Sequence, residues 1–413
     1  VAPSAEALIG ARLLQGIGGA LLTPGSLAMI ESSFRPMDRA RAIGAWSGLG
    51  GVAVALGPLL GGYLVESVSW RAIFLINVPI GIFVMVMASR HVPETRDPDA
   101  RGKLDAPGAG LAAIGLAGVT YALIEAPDAG ASPFILAAAI GGFAALIGFL
   151  IVEHRSPNPM MPLSIFASRQ FSAANLVTFV VYAALGGVFF LLVAFLQISI
   201  GYSPIEAGAA SLPVTLLMLL LSARSGALAQ RIGARIPLTV GPIVIAAGML
   251  LMTRIDPGDG YASTVLPAVI VFGLGLTLVV APVTATVLAA ADSRHSGMAS
   301  GINNAVSRVA GLLAVAVLPV IAGLTGDAFY DPESMADGFR VAMIAAAALA
   351  AVGGLLAWLT IDAEVLETEP EEGGDSPGRL AEDYACGVSG SPLRPGREAD
   401  CHPTGEHPAV TPL

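Results

Sequence analysis

Charge is scarce in this sequence. Asp, Glu, Lys and Arg make up 13% of its 413 residues, where soluble globular chains carry about 25%. With 55% hydrophobic residues and a mean hydropathy of +0.76, that scarcity excludes a soluble globular domain and points to an all-α polytopic membrane protein. Cysteine is nearly absent too. Cys386 and Cys401 both fall in an acidic tail, so no disulfide framework is implied. With His402 and His407 they match no standard zinc spacing, and no metal is expected. Paired catalytic carboxylates, a phosphate-cradling Gly-rich loop followed by Lys, and a nucleophile–base arrangement are all missing. An ATP-driven pump and a membrane enzyme are therefore not expected, nor is any organic cofactor. No basic footprint suggests a nucleic-acid partner. The net charge of -10 is concentrated in the tail and does not describe the membrane body. The opening VAPSAEALIGARLLQGIGGALL lacks a basic n-region, so no cleavable signal peptide is expected.

What is present is a succession of apolar runs. A membrane helix needs about 20 mostly apolar residues. Eleven runs qualify: Ala5–Ile30, Ala42–Val65, Ala72–Ser89, Ala106–Ile124, Pro133–Val152, Phe171–Ile200, Ala207–Ala223, Ile236–Met252, Ser263–Ala289, Ala299–Leu324 and Phe339–Ile361. Basic residues orient them. With the N-terminus outside, thirteen fall in inner loops (Arg35, Arg39, Arg41, Arg90, Arg96, Arg101, Lys103, Arg155, Arg169, Arg224, Arg231, Arg235, Arg294) and three in outer ones (Arg71, Arg254, Arg340). The C-terminus is then cytoplasmic, and Trp70 sits at an outer interface. The charged loop RHVPETRDPDARGKLD, residues 90–105, separates three helices from the next two, and a second loop separates those from six more. This gives residues 1–92 as a three-helix group, 93–170 as a linker with two helices, 171–361 as a six-helix bundle and 362–413 as a disordered tail, too rich in Glu, Pro, Gly and Ser to fold alone.

Polar residues inside apolar runs are costly, at least ~2.5 kcal/mol for a charge at mid-span, and so are functional candidates. Arg12 lies in ALIGARLLQGIGGALLTPGS beside Gln15; its alternative is snorkelling to the outer interface. Arg308 and Asn304 share a helix face at i, i+4 and, with Asn303, could line a cavity near the inner end of their helix; the alternative is interhelical hydrogen bonding. Phe179 and Tyr182, with Gly186, Phe189 and Phe190, form an aromatic stripe that could meet a bulky or cationic ligand or simply fill the bundle. Gly57 and Gly61, one turn apart beside Pro58, form a smooth, kinked strip for close helix approach. The acids Glu66, Glu125 and Glu206 lie near outer ends, Glu31 and Asp292 near inner ends, and none at mid-depth.

These residues, in order, resemble the major facilitator superfamily, in particular its 14-helix drug:proton antiporter branch (EmrB/QacA type). Leu8-x-x-x-Arg12-x-x-Gln15-Gly16-x-Gly18-x-Ala20 resembles the fourth-helix motif. Gly57-Pro58-x-x-Gly61-Gly62 is similar to the fifth-helix antiporter motif, with Ala53 where glycine is often found. Ser69-Trp70-Arg71-x-x-Phe74-Leu75-x-Asn77-x-Pro79-x-Gly81 looks like the segment that follows. Gly226-x-Leu228-Ala229-Gln230-Arg231-x-Gly233-x-Arg235 is similar to the cytoplasmic loop motif, although Gln230 replaces its usual acid. The resemblance covers residues 5 to about 361. It implies helices four to fourteen of the branch, with three preceding helices missing from this sequence. It also implies a monomeric multi-pass protein of the cell membrane, in contact with lipid, exporting small amphipathic or cationic compounds by alternating access. The proton gradient would be the energy source. Arg12 and Gln15 would serve proton coupling, Gly57, Pro58, Gly61 and Gly62 the bundle contact, Trp70, Arg71, Asn77 and Pro79 the outer segment, and Gly226, Arg231, Gly233 and Arg235 a gating loop. The alternatives are an antibiotic or metabolite exporter, an uptake symporter, or a truncated membrane fragment that does not transport.

Overall fold

The computed structural model describes residues 4, 7–19, 22, 57, 60–91, 105–130, 132–157, 159–291 and 296–366. Of the eleven expected spans, nearly half of the first and most of the second lie outside these residues, as does Pro58. The other nine are all present as apolar helices long enough to cross a membrane. Among the described residues there is no strand. The helices are α1 (7–19), α2 (60–67), α3 (Ala72–Leu75), α4 (Asn77–His91), α5 (Ala106–Ala129), α6 (Pro133–Arg155), α7 (Arg169–Ile198), α8 (Pro204–Ala210), α9 (Leu212–Ile232), α10 (Arg235–Met252), α11 (Leu266–Ala289), α12 (Ser296–Ile321) and α13 (Pro332–Thr360).

Local chemistry explains where they start. Asp105, Ser132, Ser168 and Asp331 each accept a backbone N–H two or three residues into the helix that follows, which satisfies a donor with no intrahelical partner. Ser203 and Glu206 form a reciprocal capping box ahead of α8, with Pro204 in the first turn. The Ser334 side chain and backbone N–H hold the Asp331 carboxyl below its ordinary 3.8. Breaks have causes as well. Pro79 lacks the N–H that would reach back towards α3. The Asn77 amide donates instead to the carbonyls of Ile73 and Phe74, at 3.0 and 3.3 Å. Pro204–Ile232 is one span with a break at Ser211, and Tyr261–Ala289 opens with a π-helical turn over Tyr261–Val265.

Helices α7 to α13 share one buried core, in which Phe195 stacks on Phe339 at 4.1 Å. In a bilayer, packing and small residues drive such contact, because lipid is as apolar as the side chains. A Cβ on Gly186 of α7 would lie 2.6 Å from the Cα of Gly311 on α12. One on Gly118 of α5 would lie 2.7 Å from the Ala138 carbonyl of α6. These backbones touch only because no side chain intervenes. At the opposite extreme, α4 buries none of its residues although it is apolar from Val78 to Ala88, the pattern of a helix facing lipid or further helices on every side.

Several ends differ from expectation. The last span begins at Pro332 rather than Phe339, and Pro204–Ile232 runs nine residues beyond Ala223. Arg340 and Arg224, expected in loops, therefore sit inside α13 and α9. Arg340 pairs with Asp337 on its own helix and with Asp256 in the loop that follows α10. Residues 362–366, expected in the tail, form a turn against the bundle. Asp362 pairs with Gln170 of α7 through side chain and backbone. The rest of the tail lies outside the described residues.

Candidate functional site

Two expected motifs, far apart in sequence, meet. Arg12 of α1 donates to the Gln15 carbonyl oxygen at 2.7 Å, and its guanidinium lies over the Phe74 ring, 5.1 Å from the centroid. Trp70 meets Phe74 edge-on at 6.1 Å, and Arg71 lies over Trp70 at 4.4 Å. The four side chains and Gln15 line a cavity of about 330 Å³. Two guanidiniums and no carboxylate among its lining residues make it electropositive. Asn77 shapes the turn that presents this group, and Pro79 lies exposed on α4. Arg12 is exposed, and an amide and a ring face hold its guanidinium in this position.

Of the expected glycine strip, Gly62 is in close contact among the described residues. No described residue comes within 4 Å of a Cβ built on Gly57 or Gly61. The close approach is at Gly62, where a Cβ would meet the Pro204 carbonyl at 2.7 Å and the Ile205 Cα at 2.9 Å. Gly62 is buried in this contact. Gly62 faces about 100° of helix away from Gly61, and the motif alone does not specify which of the two makes this contact.

The expected cavity set on α7 and α12 is divided. Asn303 is buried and donates to the Thr178 hydroxyl at 2.9 Å and the Asn175 carbonyl oxygen at 3.3 Å. It is an interhelical tie. Asn304 and Arg308 are on another face of α12, exposed, in a stripe with Gly301, Ala305 and Leu312. Arg308 lies well inside its span. It lies ten residues past Met298, the start of its span, or ~15 Å at 1.5 Å per residue, about half the hydrocarbon thickness. No hydrogen bond, ion pair or ring contact joins Phe179 or Tyr182, both half-buried, to this stripe among the described residues. The aromatic stripe itself splits: Phe189 packs edge-on against Phe272 of α11, and Phe190 against Phe329.

The loop motif forms an intrabundle clasp. Gly233 has φ +83°, and a Cβ there would lie 2.4 Å from the Ala363 carbonyl. Arg235 donates to the Trp358 carbonyl at 2.7 Å and lies over its ring at 4.3 Å, a cation at a helix C-terminus. Gly226 approaches Ala281 of α11 at ordinary contact distance, and Arg231 is exposed.

Sequence reasoning missed Glu153. At the end of an apolar run and beside His154 and Arg155, it reads as solvated, yet it is only 2% exposed. One oxygen accepts the Met161 N–H at 2.9 Å, and the other has no hydrogen-bond partner. Periodicity could not show this, because burial comes from the loop folding back over the helix end.

Residues 1–315 match the Major Facilitator Superfamily. The chain belongs to this superfamily. It is 35% identical over 352 residues to the tetracenomycin C resistance and export protein of Streptomyces glaucescens, covering 84% of this chain and 64% of that relative. It is 34% identical over 364 residues to the methylenomycin A resistance protein of Streptomyces coelicolor, covering 87% and 74%. It is 32% identical over 339 residues to the multidrug resistance protein Stp of Mycobacterium tuberculosis, covering 81% and 62%. The chain thus spans less than two thirds of the first and third of these relatives. As a member of the superfamily it is a multi-pass membrane protein of the all-α transporter fold.

Proposed function

We propose that this protein exports small amphipathic or cationic compounds across the cell membrane, by alternating access and in exchange for protons. The observation that carries the reading is Arg308, half-way along an apolar helix on an exposed face with Asn304. A charge at that depth does not face lipid at acceptable cost. The stripe has to meet water or a polar partner, as a translocation path supplies. Arg12 and Gln15 would couple proton movement to it, and Gly62 would be a rocking contact between helical groups. The relatives named for resistance and export favour outward transport over uptake.

The fourteen-helix branch belongs to the same proposal, with these spans in the places of helices four to fourteen, grouped three, two and six, and the C-terminus cytoplasmic. We take the working unit to be a monomer in contact with lipid. Expression of the whole protein in a host lacking its own efflux pumps tests the reading. Ethidium should leave loaded cells faster than from vector controls, and an uncoupler should abolish the difference. Equal rates with and without the protein would contradict export. A narrower reading, export of one antibiotic class, is favoured by the names of the first two relatives. It requires resistance to one such compound and none to ethidium.

A further inference from the structure

We infer that a cleft between α5, α7 and α12, at the end of α5 and α12 remote from the charged loop 90–105, binds an amphipathic organic cation: an apolar body with a single positive charge. The cleft is separate from the Arg12 cavity. Its place on an export path rests on the function proposed above; the binding itself does not.

The cleft has a volume of about 500 Å³, within the roughly 300–1,000 Å³ of small-molecule sites. Ile124 of α5, Phe190 of α7 and Val315 and Pro319 of α12 line it, with Asp327 and Phe329 of the turn Gly326–Phe329, and Tyr330. Phe329 lies 5.9 Å from Phe190, tilted by 30°, and 5.4 Å from Tyr330 at 74°. The steep angle of the second pair turns ring faces in two directions. Phe190 and Tyr330 are both exposed, so these rings are open to a ligand, and ring faces attract cations.

Charge decides the sign of that ligand. Asp327 is the one charged residue among the described lining residues. Its carboxylate has no ion pair or hydrogen bond among the described residues. The lining comes from residues 104–153, 170–223 and 309–339, and these segments contain no Lys, Arg or His. Pro319 has no N–H to offer the carbonyl of Val315 one turn earlier, which leaves a further acceptor short of its usual donor. An anion would find no cationic partner here. An inorganic divalent cation would need several oxygen ligands, where the lining supplies one carboxylate. A single positive charge on an apolar body uses the carboxylate and the rings together.

Two basic groups lie on neighbouring stretches of helix. Arg340 of α13 is paired with Asp256 and Asp337. Arg308 is seven residues before Val315, which is the same face of α12 and ~10 Å along it. Its side chain leans towards the start of the helix, as helical side chains do, and so away from the cleft. The cleft is thus where the exposed Arg308 face ends. With the C-terminus cytoplasmic, as proposed above, that end is the outer one, and the bound cation would be at the exit.

The test uses the whole protein in phosphatidylglycerol nanodiscs, with no ion gradient. The probe is a photoreactive azidophenyl-triphenylphosphonium, and labelled peptides are mapped by mass spectrometry. Label should fall on the peptides carrying Phe190 and residues 315–330. Tetraphenylphosphonium should suppress it, and tetraphenylborate, of the same shape and opposite charge, should not. Asp327→Asn and Tyr330→Ala change exposed side chains. Each should raise the half-labelling concentration about fivefold, in the range of a lost charge or cation–ring contact, with the unfolding temperature unchanged. Ile124→Trp should fill the cleft and abolish labelling there. Arg308→Ala should leave the labelling intact, so loss of efflux in that variant does not bear on this site. Absence of label from these peptides overturns the inference, as does equal suppression by tetraphenylborate or labelling unaffected by Asp327→Asn and Ile124→Trp. Suppression by added phosphatidylethanolamine but not by tetraphenylphosphonium would assign the cleft to a lipid headgroup and overturn it too.

Discussion

At the scale of single residues, neighbouring positions on α12 carry opposite assignments. Asn303 ties α12 to α7 through Thr178 and Asn175. Arg308, five residues on, points to another face and has no partner among the described residues. Asn303→Leu should therefore lower stability by about 1 kcal/mol, the usual worth of an interhelical polar contact, and leave transport near wild type. Arg308→Ala should leave the unfolding temperature unchanged and reduce transport at least tenfold, about 1.4 kcal/mol in the free energy of the limiting step. Thermal unfolding and dye efflux on the same preparations separate the two. Arg12 gives a third case. Its guanidinium bonds Gln15 and covers Phe74 at once, which an ammonium does less well. Arg12→Lys should cost about tenfold in efflux, close to one charge-assisted hydrogen bond of about 1.5 kcal/mol. The sequence placed Arg12, Gln15, Trp70 and Arg71 in two separate motifs. Their convergence was not legible, because nothing local records which helices become neighbours.

At the scale of helices, the spans were legible for a plain physical reason: a bilayer demands about 20 apolar residues, and charged loops punctuate them. What hydropathy missed were polar helix ends. α13 starts at Pro332 because Asp331 caps it, although Glu333, Asp337 and Arg340 depress the hydropathy of its first turns. The cap carries a pH dependence. Asp331 has a folded value below 3.8, so its contribution is present above that pH and is lost as pH falls through the lowered value. Asp331→Ala should destabilise at neutral pH, with the difference from wild type shrinking in strong acid. The glycine motif illustrates another limit. Its spacing announced close packing, and among the described residues Gly62 makes a close contact while Gly57 and Gly61 make none. Gly62→Val should cost about 1–3 kcal/mol by overpacking against Pro204 and impair efflux. Gly61→Val should do neither, and parallel unfolding and efflux assays decide between them.

At the scale of the whole molecule, the electropositive Arg12–Arg71 cavity, the mid-depth Arg308 stripe and the tight contact at Gly62 would act in one cycle under the proposed function. Superfamily membership establishes the fold and the class of protein; exchange with protons is the claim that most needs a direct measurement. The whole protein should be reconstituted into liposomes carrying a pH-sensitive dye, and a cationic dye such as ethidium added. Under exchange, uptake of the cation requires an acidic interior, and each addition raises the internal pH. Cation accumulation at the same rate in vesicles with no pH gradient, and with no change in internal pH, would contradict proton exchange.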